Sequence, residues 1–212
     1  MNQSTGEVEF LSGGKAEILV SLKGLENNSD IVTSSVYNVA PRDNVEDATV
    51  SGIKNAVYTG GIITQNITVK YGSETLKQKQ DYTVSYKNNK NAGTATVVIT
   101  GTGKYEGVAS KNFAIKKAAQ PMEVTAKANP VIAKSKPFAC VKVKGAKGTV
   151  TYANKSTVAK AKKFTVNKKT GKVSVPSGTK AGTYKVRVKA TAAGTANFKA
   201  GSKTVTVKVR VS

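Results

Sequence analysis

The stretch Thr204-Val205-Thr206-Val207-Lys208-Val209-Arg210-Val211 decides the fold class of this 212-residue chain. Valine alternates in it with threonine, lysine and arginine. Because successive side chains of a β-strand point to opposite faces, this alternation predicts a strand with one buried and one solvated face. Valine and threonine are also β-branched, which suits a pleated, half-buried surface.

The same period of two recurs in Asn66–Tyr71, Tyr82–Tyr86 and Lys185–Lys189. No window shows a sustained helical period, and the alanine- and lysine-rich residues 153–163 allow at most a short helix. Clusters of Gly and Asn, which supply the positive φ that tight turns need, separate the strand-like runs. The sequence therefore predicts an all-β protein built as an antiparallel β-sandwich. The turn clusters are Asn88–Gly93, Gly101–Gly103, Lys168–Gly171 and Ser177-Gly178.

Three segments are predicted along the chain. Residues 1–45 hold three strand-like runs, around Glu7–Leu11, Ala16–Leu22 and Ile31–Asn38, which are too few for a core of their own. We interpret them as a partial or extension β segment, either the tail of a preceding domain or an N-terminal extension of the next, followed by a linker at Pro41-Arg42-Asp43. Residues 46–117 form the second predicted domain, and residues 118–212 form the third, which is rich in lysine.

A weak internal repeat links the last two segments. Ala92-Gly93-Thr94 and Ala181-Gly182-Thr183 each precede a strand, a turn of small residues, an aromatic residue and a last strand. Both segments are therefore predicted to end in the same hairpin. The joint between them is placed at Ala118-Ala119-Gln120-Pro121.

The charge is concentrated in the last segment. The chain has 34 Lys+Arg and 12 Asp+Glu, a formal net charge of +22. Residues 1–50 carry −5 and residues 51–117 carry +7, whereas residues 118–212 hold 21 basic residues against Glu123 alone. Such asymmetry indicates separate modules.

Composition excludes several kinds of chemistry. The chain has no His and no Trp, and Cys140 is its one cysteine. A Ser-His-Asp or Cys-His apparatus, a Cys/His zinc site and an internal disulfide all need residues that are missing. The close acid pairs, Glu7 with Glu9 and Glu46 with Asp47, lie outside any predicted cleft. We therefore predict no enzyme activity, no catalytic residue, no metal site and no cofactor, and a buried, inert thiol at Cys140.

Two parts of the chain resemble known repeats, and the stretches that carry the resemblance are Ile53–Gly60, Ile67–Val69, Asp81–Asn89, Ala92–Val97, Gly101–Tyr105, Phe164–Val173, Ala181–Val186 and Lys203–Val207. The segment at 46–117 resembles bacterial Ig-like repeats, and the segment at 118–212 resembles lysine-rich Ig-like or cadherin-like repeats of large secreted and surface proteins of Gram-positive bacteria. The resemblance implies an all-β fold of tandem Ig-like antiparallel β-sandwich domains, with an Ig-like domain at 46–117 and a lysine-rich Ig-like or cadherin-like domain at 118–212. It implies no catalytic residues, and a single acid in the last segment does not support cadherin-type calcium binding.

The resemblance implies an extracellular location, at the bacterial cell surface or secreted. The expected function is a non-catalytic module of a surface protein, acting as a structural spacer and adhesion region. The alternatives are a specific host-protein binder, such as an immunoglobulin-binding surface protein, and accessory domains of a large secreted enzyme. Candidate partners are a host glycan, a host protein or a cell-wall polyanion. We expect a monomeric fragment of a larger chain, with no membrane span and no sequence-specific nucleic-acid binding.

The basic residues that alternate with valine form the candidate site. One reading is a solvated outer sheet face that also blunts strand edges. The other is a polyanion-binding face, whose ligands would be attracted by the local field and released by salt. The candidate residues are Lys142, Lys144, Lys185, Arg187, Lys189, Lys203, Lys208 and Arg210.

Three further features receive predictions. Gly101–Gly107 misses the spacing of phosphate-binding loops and is predicted to be a hairpin turn. Tyrosines at inward-alternating strand positions are predicted to pack in the core, unless they lie outside and contact a carbohydrate or protein. Lys70, Asn112 and Asp81 have the residue types of an intramolecular Lys–Asn cross-link. The tyrosines are Tyr58, Tyr71, Tyr82, Tyr86 and Tyr105.

Overall fold

The computed structural model describes residues 14–22, 31–39, 41–127, 131–133 and 137–212. These residues form 19 strands, one helical turn and one 3-10 turn, so the all-β prediction is confirmed. The chain divides into two compact units. The first comprises residues up to Ile53, Gln65–Lys87 and Thr96–Asn112, and the second comprises Lys54–Thr64, Asn88–Ala95 and Phe113–Ser212. The domain boundaries predicted from sequence stay a prediction.

The two described stretches before residue 40 form one antiparallel pair. β1 (Gly14–Leu22) pairs with β2 (Ile31–Val39), with Gly14 opposite Val39 and Leu22 opposite Ile31. These strands match two of the three predicted runs. The run at Glu7–Leu11, with its acid pair, lies outside the described residues.

The middle of the chain forms nine short strands around a 3-10 turn at Val45–Asp47. One sheet has the order β4-β6-β7, and another has the order β5-β11-β9-β8. Glu46 and Asp47 are exposed in the 3-10 turn. The strands are β3 (Asp43–Asn44), β4 (Thr49–Ser51), β5 (Ala56–Val57), β6 (Thr68–Tyr71), β7 (Glu74–Thr75), β8 (Tyr82–Lys87), β9 (Gly93–Gly101), β10 (Tyr105–Glu106) and β11 (Val108–Lys116).

The first unit buries alternate residues of its strands. Val69, Val97, Ile99 and Tyr105 are all fully buried. β3 lies parallel to β10, with Asp43 opposite Tyr105. The predicted linker at Pro41-Arg42-Asp43 therefore ends inside a paired strand, because the backbone of Asp43 donates to Lys104 O at 3.1 Å.

The last part of the chain builds a longer sheet of order β13-β19-β18-β15, accompanied by the pairs β12-β14 and β16-β17. The helical turn that was allowed within residues 153–163 is α1 (Ala159–Lys162). The strands are β12 (Glu123–Ala126), β13 (Val131–Ala133), β14 (Val141–Lys144), β15 (Val150–Asn154), β16 (Thr165–Val166), β17 (Val173–Ser174), β18 (Gly182–Ala192) and β19 (Gly201–Val211).

The alternation that opened the sequence analysis defines this core. Val207 and Val209 are fully buried and Val211 is nearly so, whereas Thr206, Lys208 and Arg210 between them are exposed. Burial of each valine stabilises the fold by about 1.5–3 kcal/mol relative to exposure. The buried cluster comprises Cys140, Phe164, Val173, Val186, Val188, Val207, Val209 and Val211.

The predicted repeat is visible in the strand order. The two four-stranded sheets have the orders β5-β11-β9-β8 and β13-β19-β18-β15. In both, the strand that comes first along the chain is short and lies at one edge, next to the strand that comes last. The last-but-one strand of the sheet follows, and the remaining strand forms the other edge. Gly93 and Gly182, which begin the corresponding strands, have φ of 148° and 151°. The opening strands β5 and β13 lie parallel to their partners β11 and β19, whereas the sequence predicted antiparallel ladders throughout.

Contacts within the second unit join the end of the 118–212 segment to residues 54–64 and 88–95. Asn197 accepts a hydrogen bond from Ala92 N at 2.8 Å and donates one to Asn91 Oδ1 at 3.0 Å. The rings of Tyr58 and Phe198 meet edge to face at 5.3 Å. Such a pair contributes about 0.5–1.5 kcal/mol beyond its burial. Ala118, in the predicted joint, is held by hydrogen bonds to Asn197 and Lys199.

Candidate polyanion-binding face

Two central strands present most of the candidate basic residues on one surface. Lys185, Arg187 and Lys189 alternate with the buried Val186 and Val188 on β18. On β19, Lys208 and Arg210 alternate with buried valines in the same way. Each side chain on this outer face therefore lies one strand repeat, roughly 6.8 Å, from the next along its strand.

The strand register brings these cations side by side. Lys185 lies opposite Lys208, and Arg210 lies opposite Thr183. Arg187 and Lys189 lie opposite Thr206 and Thr204. Directly opposite residues have Cβ atoms about 4.5–5.5 Å apart. The surface is thus a ladder of ammonium and guanidinium groups interleaved with hydroxyls.

Lys155 belongs to this surface, although the sequence analysis did not single it out. Its backbone N–H donates to Arg187 O at 2.7 Å, which continues the β15–β18 ladder one residue beyond Asn154. Its side chain is exposed. We call Lys155, Lys185, Arg187, Lys189, Lys208 and Arg210 the cationic face.

Edge protection explains only part of this surface. Lys189 and Arg210 have a paired strand on both sides, so these two charges do not blunt an edge, whereas the ladders to β15 and β13 stop short of Lys185 and Lys208. Lys185 and Lys208 are like charges in a cross-strand pair, an arrangement that is destabilising by itself. The outer-face residues of β15, β18 and β19 include no acid. An anionic ligand would relieve this repulsion.

The other three candidate residues lie elsewhere. Lys142 and Lys144 are exposed on β14, which pairs only with β12 among the described strands, and Lys144 lies opposite Glu123. Lys203 lies on β19, but on the same side of the strand as the buried Val207. The alternation along β19 therefore groups Lys208 with Arg210 but not with Lys203, and it could not assign different strands to one surface.

A second charged cluster, around Tyr105, has a structural role. Lys104 Nζ lies 3.1 Å from both carboxylate oxygens of Glu74 and 5.1 Å from the ring centroid of Tyr105. The Tyr105 hydroxyl donates to Glu74 Oε2 at 3.3 Å. The hydrogen bond to Glu74 raises the pKa of Lys104, and burial raises the pKa of Tyr105. Lys104, Glu74 and Tyr105 therefore satisfy one another's polar groups. The segment Gly101–Gly107 is confirmed as a hairpin turn, closed by a hydrogen bond from Gly101 N to Gly107 O.

The other tyrosines divide between core and surface packing. Tyr82 is buried, as predicted, while Tyr58, Tyr71 and Tyr86 are half-buried. The Tyr86 hydroxyl accepts from Gln65 N at 2.9 Å and donates to Gln65 O at 3.1 Å. The negative charge of Asp43, with a smaller contribution from burial, raises the pKa of Tyr71.

The residues of the hypothetical Lys–Asn cross-link have other partners. Asn112 Oδ1 accepts from the Thr96 hydroxyl at 2.8 Å, and the buried Asp81 carboxylate accepts from Lys77 N at 2.8 Å. Lys70 is exposed on β6. The cross-link stays a hypothesis.

Cys140 is fully buried in the core cluster of the last segment, as predicted. Burial raises the pKa of its thiol to about 11, against a smaller lowering by the charge of Lys127. The thiol is therefore protonated and unreactive at neutral pH.

This raised pKa predicts a pH-dependent contribution to stability. Because the pKa is higher in the folded chain than the 9.0 of a free thiol, the contribution is complete below pH 9 and is lost as the pH rises to about 11. In that interval the wild-type chain should lose up to about 1.4 kcal/mol per pH unit more than Cys140→Ala. Urea unfolding of both proteins at pH 8–11 measures the difference, and parallel curves would contradict it. Tyrosines and lysines are present in both proteins, so their titration cancels in the difference between the two free energies of unfolding.

Within the described ranges, no set of three or more His, Cys, Asp or Glu residues is placed to hold a metal ion. No described helix has the length and apolar character needed to cross a bilayer.

The fold and the surface together define an all-β protein that repeats one sandwich-like strand order and carries a cationic sheet face. No known family model matches the chain, and no curated protein matches it. Solved structures to which it is similar include cadherin repeats. Protocadherin gammaB7 repeats EC3–6, a cis-dimer structure, are 13% identical, with a TM-score of 0.35 over 95% of this chain and 58% of that one.

Two other similar structures give comparable values. Protocadherin gamma B2 domains 1–5 are 13% identical, with a TM-score of 0.37 over 93% of this chain and 46% of that one. Mouse cadherin-23 EC22–24 is 12% identical, with a TM-score of 0.34 over 93% and 74%. The chain spans about half the length of the two protocadherin structures.

Proposed function

We propose that this chain is a non-catalytic, extracellular spacer and adhesion module that binds polyanions through the cationic face. The single observation that carries the proposal is the Lys185–Lys208 cross-strand pair, set among further cations on inner strands with no acid on the same face. A solvated surface that serves only solubility would mix both signs of charge. A ladder of one sign instead attracts a polymer with repeated negative groups.

The spacer role is supported by the fixed contacts within the second unit. Asn197 makes two side-chain hydrogen bonds, to Ala92 N and to Asn91 Oδ1, and Tyr58 packs on Phe198. Repetition of one strand order along the chain suits a protein built from consecutive modules.

The binding proposal predicts a loss of heparin affinity when three basic residues of the cationic face are replaced by neutral glutamine. Arg187→Gln, Lys208→Gln and Arg210→Gln together should weaken binding to heparin roughly tenfold at physiological salt. They should also flatten the slope of log affinity against log salt, by about 0.7–0.9 per lost ionic contact if the counter-ion release measured for nucleic acids applies. Surface plasmon resonance at several NaCl concentrations measures both quantities.

A variant with the same charge change serves as the control. Lys168, Lys169 and Lys172 are exposed at the turn between β16 and β17, outside the two strands that carry most of the cationic face. Their replacement by glutamine should lower the affinity less than threefold. Equal losses in the two variants would show that net charge alone causes retention, and heparin binding that persists in high salt would contradict ionic contacts with the cationic face.

A further inference from the structure

A cleft lies at one end of the last segment, between α1 and the turn at 176–179. One cavity of about 370 Å³ is lined by residues of both elements, and a second of about 530 Å³ continues along β18. Lys160 and Tyr184 line both cavities, so the two cavities are neighbours, and we refer to them together as the cleft. Each volume lies in the range of about 300–1,000 Å³ that is usual for small-molecule sites.

The lining of the cleft is basic. Lys160, Lys163 and Lys180 line the first cavity, and Lys185 of the cationic face lines the second. No acid is among the described residues that line either cavity. Charges of one sign around a concave surface focus the field, so the cleft favours an anionic group over a neutral one.

One aromatic wall of the cleft is held in place. The Tyr184 hydroxyl donates to Lys180 O at 2.8 Å, and its ring packs at 5.1 Å on the buried Phe164. The turn that faces it is closed by Thr179, whose hydroxyl donates to Pro176 O at 2.7 Å. A fixed tyrosine offers an apolar ring face beside polar groups, which suits a ring that carries hydroxyls.

We propose that this cleft binds one sugar ring bearing an anionic group, a carboxylate or a sulfate, within a polyanionic glycan. The inference rests on the proposed function and deepens it, because Lys185 connects the cleft to the cationic face. The lysines select the negative charge, and Tyr184 with the 176–179 turn selects a ring. The longer glycan then continues across β18 and β19.

The test compares two double variants of the full chain that change charge equally. Lys160→Gln with Lys163→Gln alters the cleft, and Lys168→Gln with Lys169→Gln alters exposed lysines outside it. Calorimetric titration uses a hyaluronan hexasaccharide, which has carboxylates only, a heparin hexasaccharide, which also has sulfates, and neutral N-acetylchitohexaose. We expect the cleft variant to bind at least one anionic hexasaccharide about tenfold more weakly, the control variant to change less than twofold, and N-acetylchitohexaose not to bind.

The outcomes separate the two proposals. A tenfold loss for hyaluronan identifies a carboxylate, and a loss for heparin alone identifies a sulfate. Equal affinities of the two variants for both probes would overturn the cleft, while salt-dependent heparin binding through the cationic face could still hold. If the wild-type chain binds neither long heparin nor the hexasaccharides, both proposals fail.

A second measurement does not depend on variants. The anionic hexasaccharide should protect Lys160, Lys163 and Lys180 from acetylation, read by mass spectrometry, and leave Lys168 and Lys169 reactive. Uniform protection of all five lysines would overturn the cleft.

Discussion

Replacing Phe164 with alanine should lower the free energy of unfolding by about 3–5 kcal/mol, the usual cost of deleting a buried aromatic ring. Phe164 is 2% exposed and lies in the core cluster with Val186, Val188 and Val207. It also packs on Tyr184. The loss combines the transfer energy of the ring with the cavity left behind, because the surrounding strands are tied into a hydrogen-bonded sheet and can collapse only in part.

Equilibrium urea unfolding measures this effect. Phe164→Leu should lose less than half as much, since it keeps most of the apolar volume. Val158→Ala, at a position that is 64% exposed, should change the stability by less than about 0.5 kcal/mol. A loss below 1 kcal/mol for Phe164→Ala would mean that the core does not close around this ring.

Replacing Gly148 with alanine should cost about 3 kcal/mol or more, for two separate reasons. Its φ is +91°, a conformation that costs an L-residue roughly 1–3 kcal/mol. A Cβ at this position would also lie 2.5 Å from Gly194 O and 3.2 Å from Gly194 N. The two loops cannot separate easily, because Ala193 N donates to Thr149 O at 3.0 Å.

Gly178 provides the matched control. It lies in the same segment with φ of +72°, and a Cβ there would meet nothing within 4 Å. Gly178→Ala should therefore lose only the conformational cost, about 1–2 kcal/mol. Equal destabilisation of the two variants in urea unfolding would show that the close approach of the loops around Gly148 and Gly194 adds nothing to the cost of Gly148→Ala.

Strands and turns were predictable because their signals are local. The valines of β19 mark their own buried face, and Gly93 and Gly182 mark the start of equivalent strands. The parallel pairing of β5 with β11 carries no such signal. Ala56 and Val57 form a strand of two residues, whose partner is set by the fold around them.

The candidate site was predictable in part for the same reason. Lys185, Arg187 and Lys189 share a face through alternation alone, whereas only the register shows that Lys208 lies opposite Lys185. Lys155 lies one residue beyond β15, so only its backbone hydrogen bond to Arg187 places it on this face. The cleft could not be found, because α1 and the 176–179 turn are separated by more than a dozen residues in sequence.

The parallel ladder between β13 and β19 has a mechanical consequence for the proposed role of this chain as a spacer. β13 opens the last sheet and β19 closes it, with Val131 opposite Val209 and Ala133 opposite Val211. Tension that pulls the two strands toward opposite ends of the segment acts along this ladder, so its hydrogen bonds must rupture together under shear. An antiparallel hairpin pulled from its open end would instead unzip one bond at a time. The pairing that local sequence could not predict therefore favours resistance to pulling force.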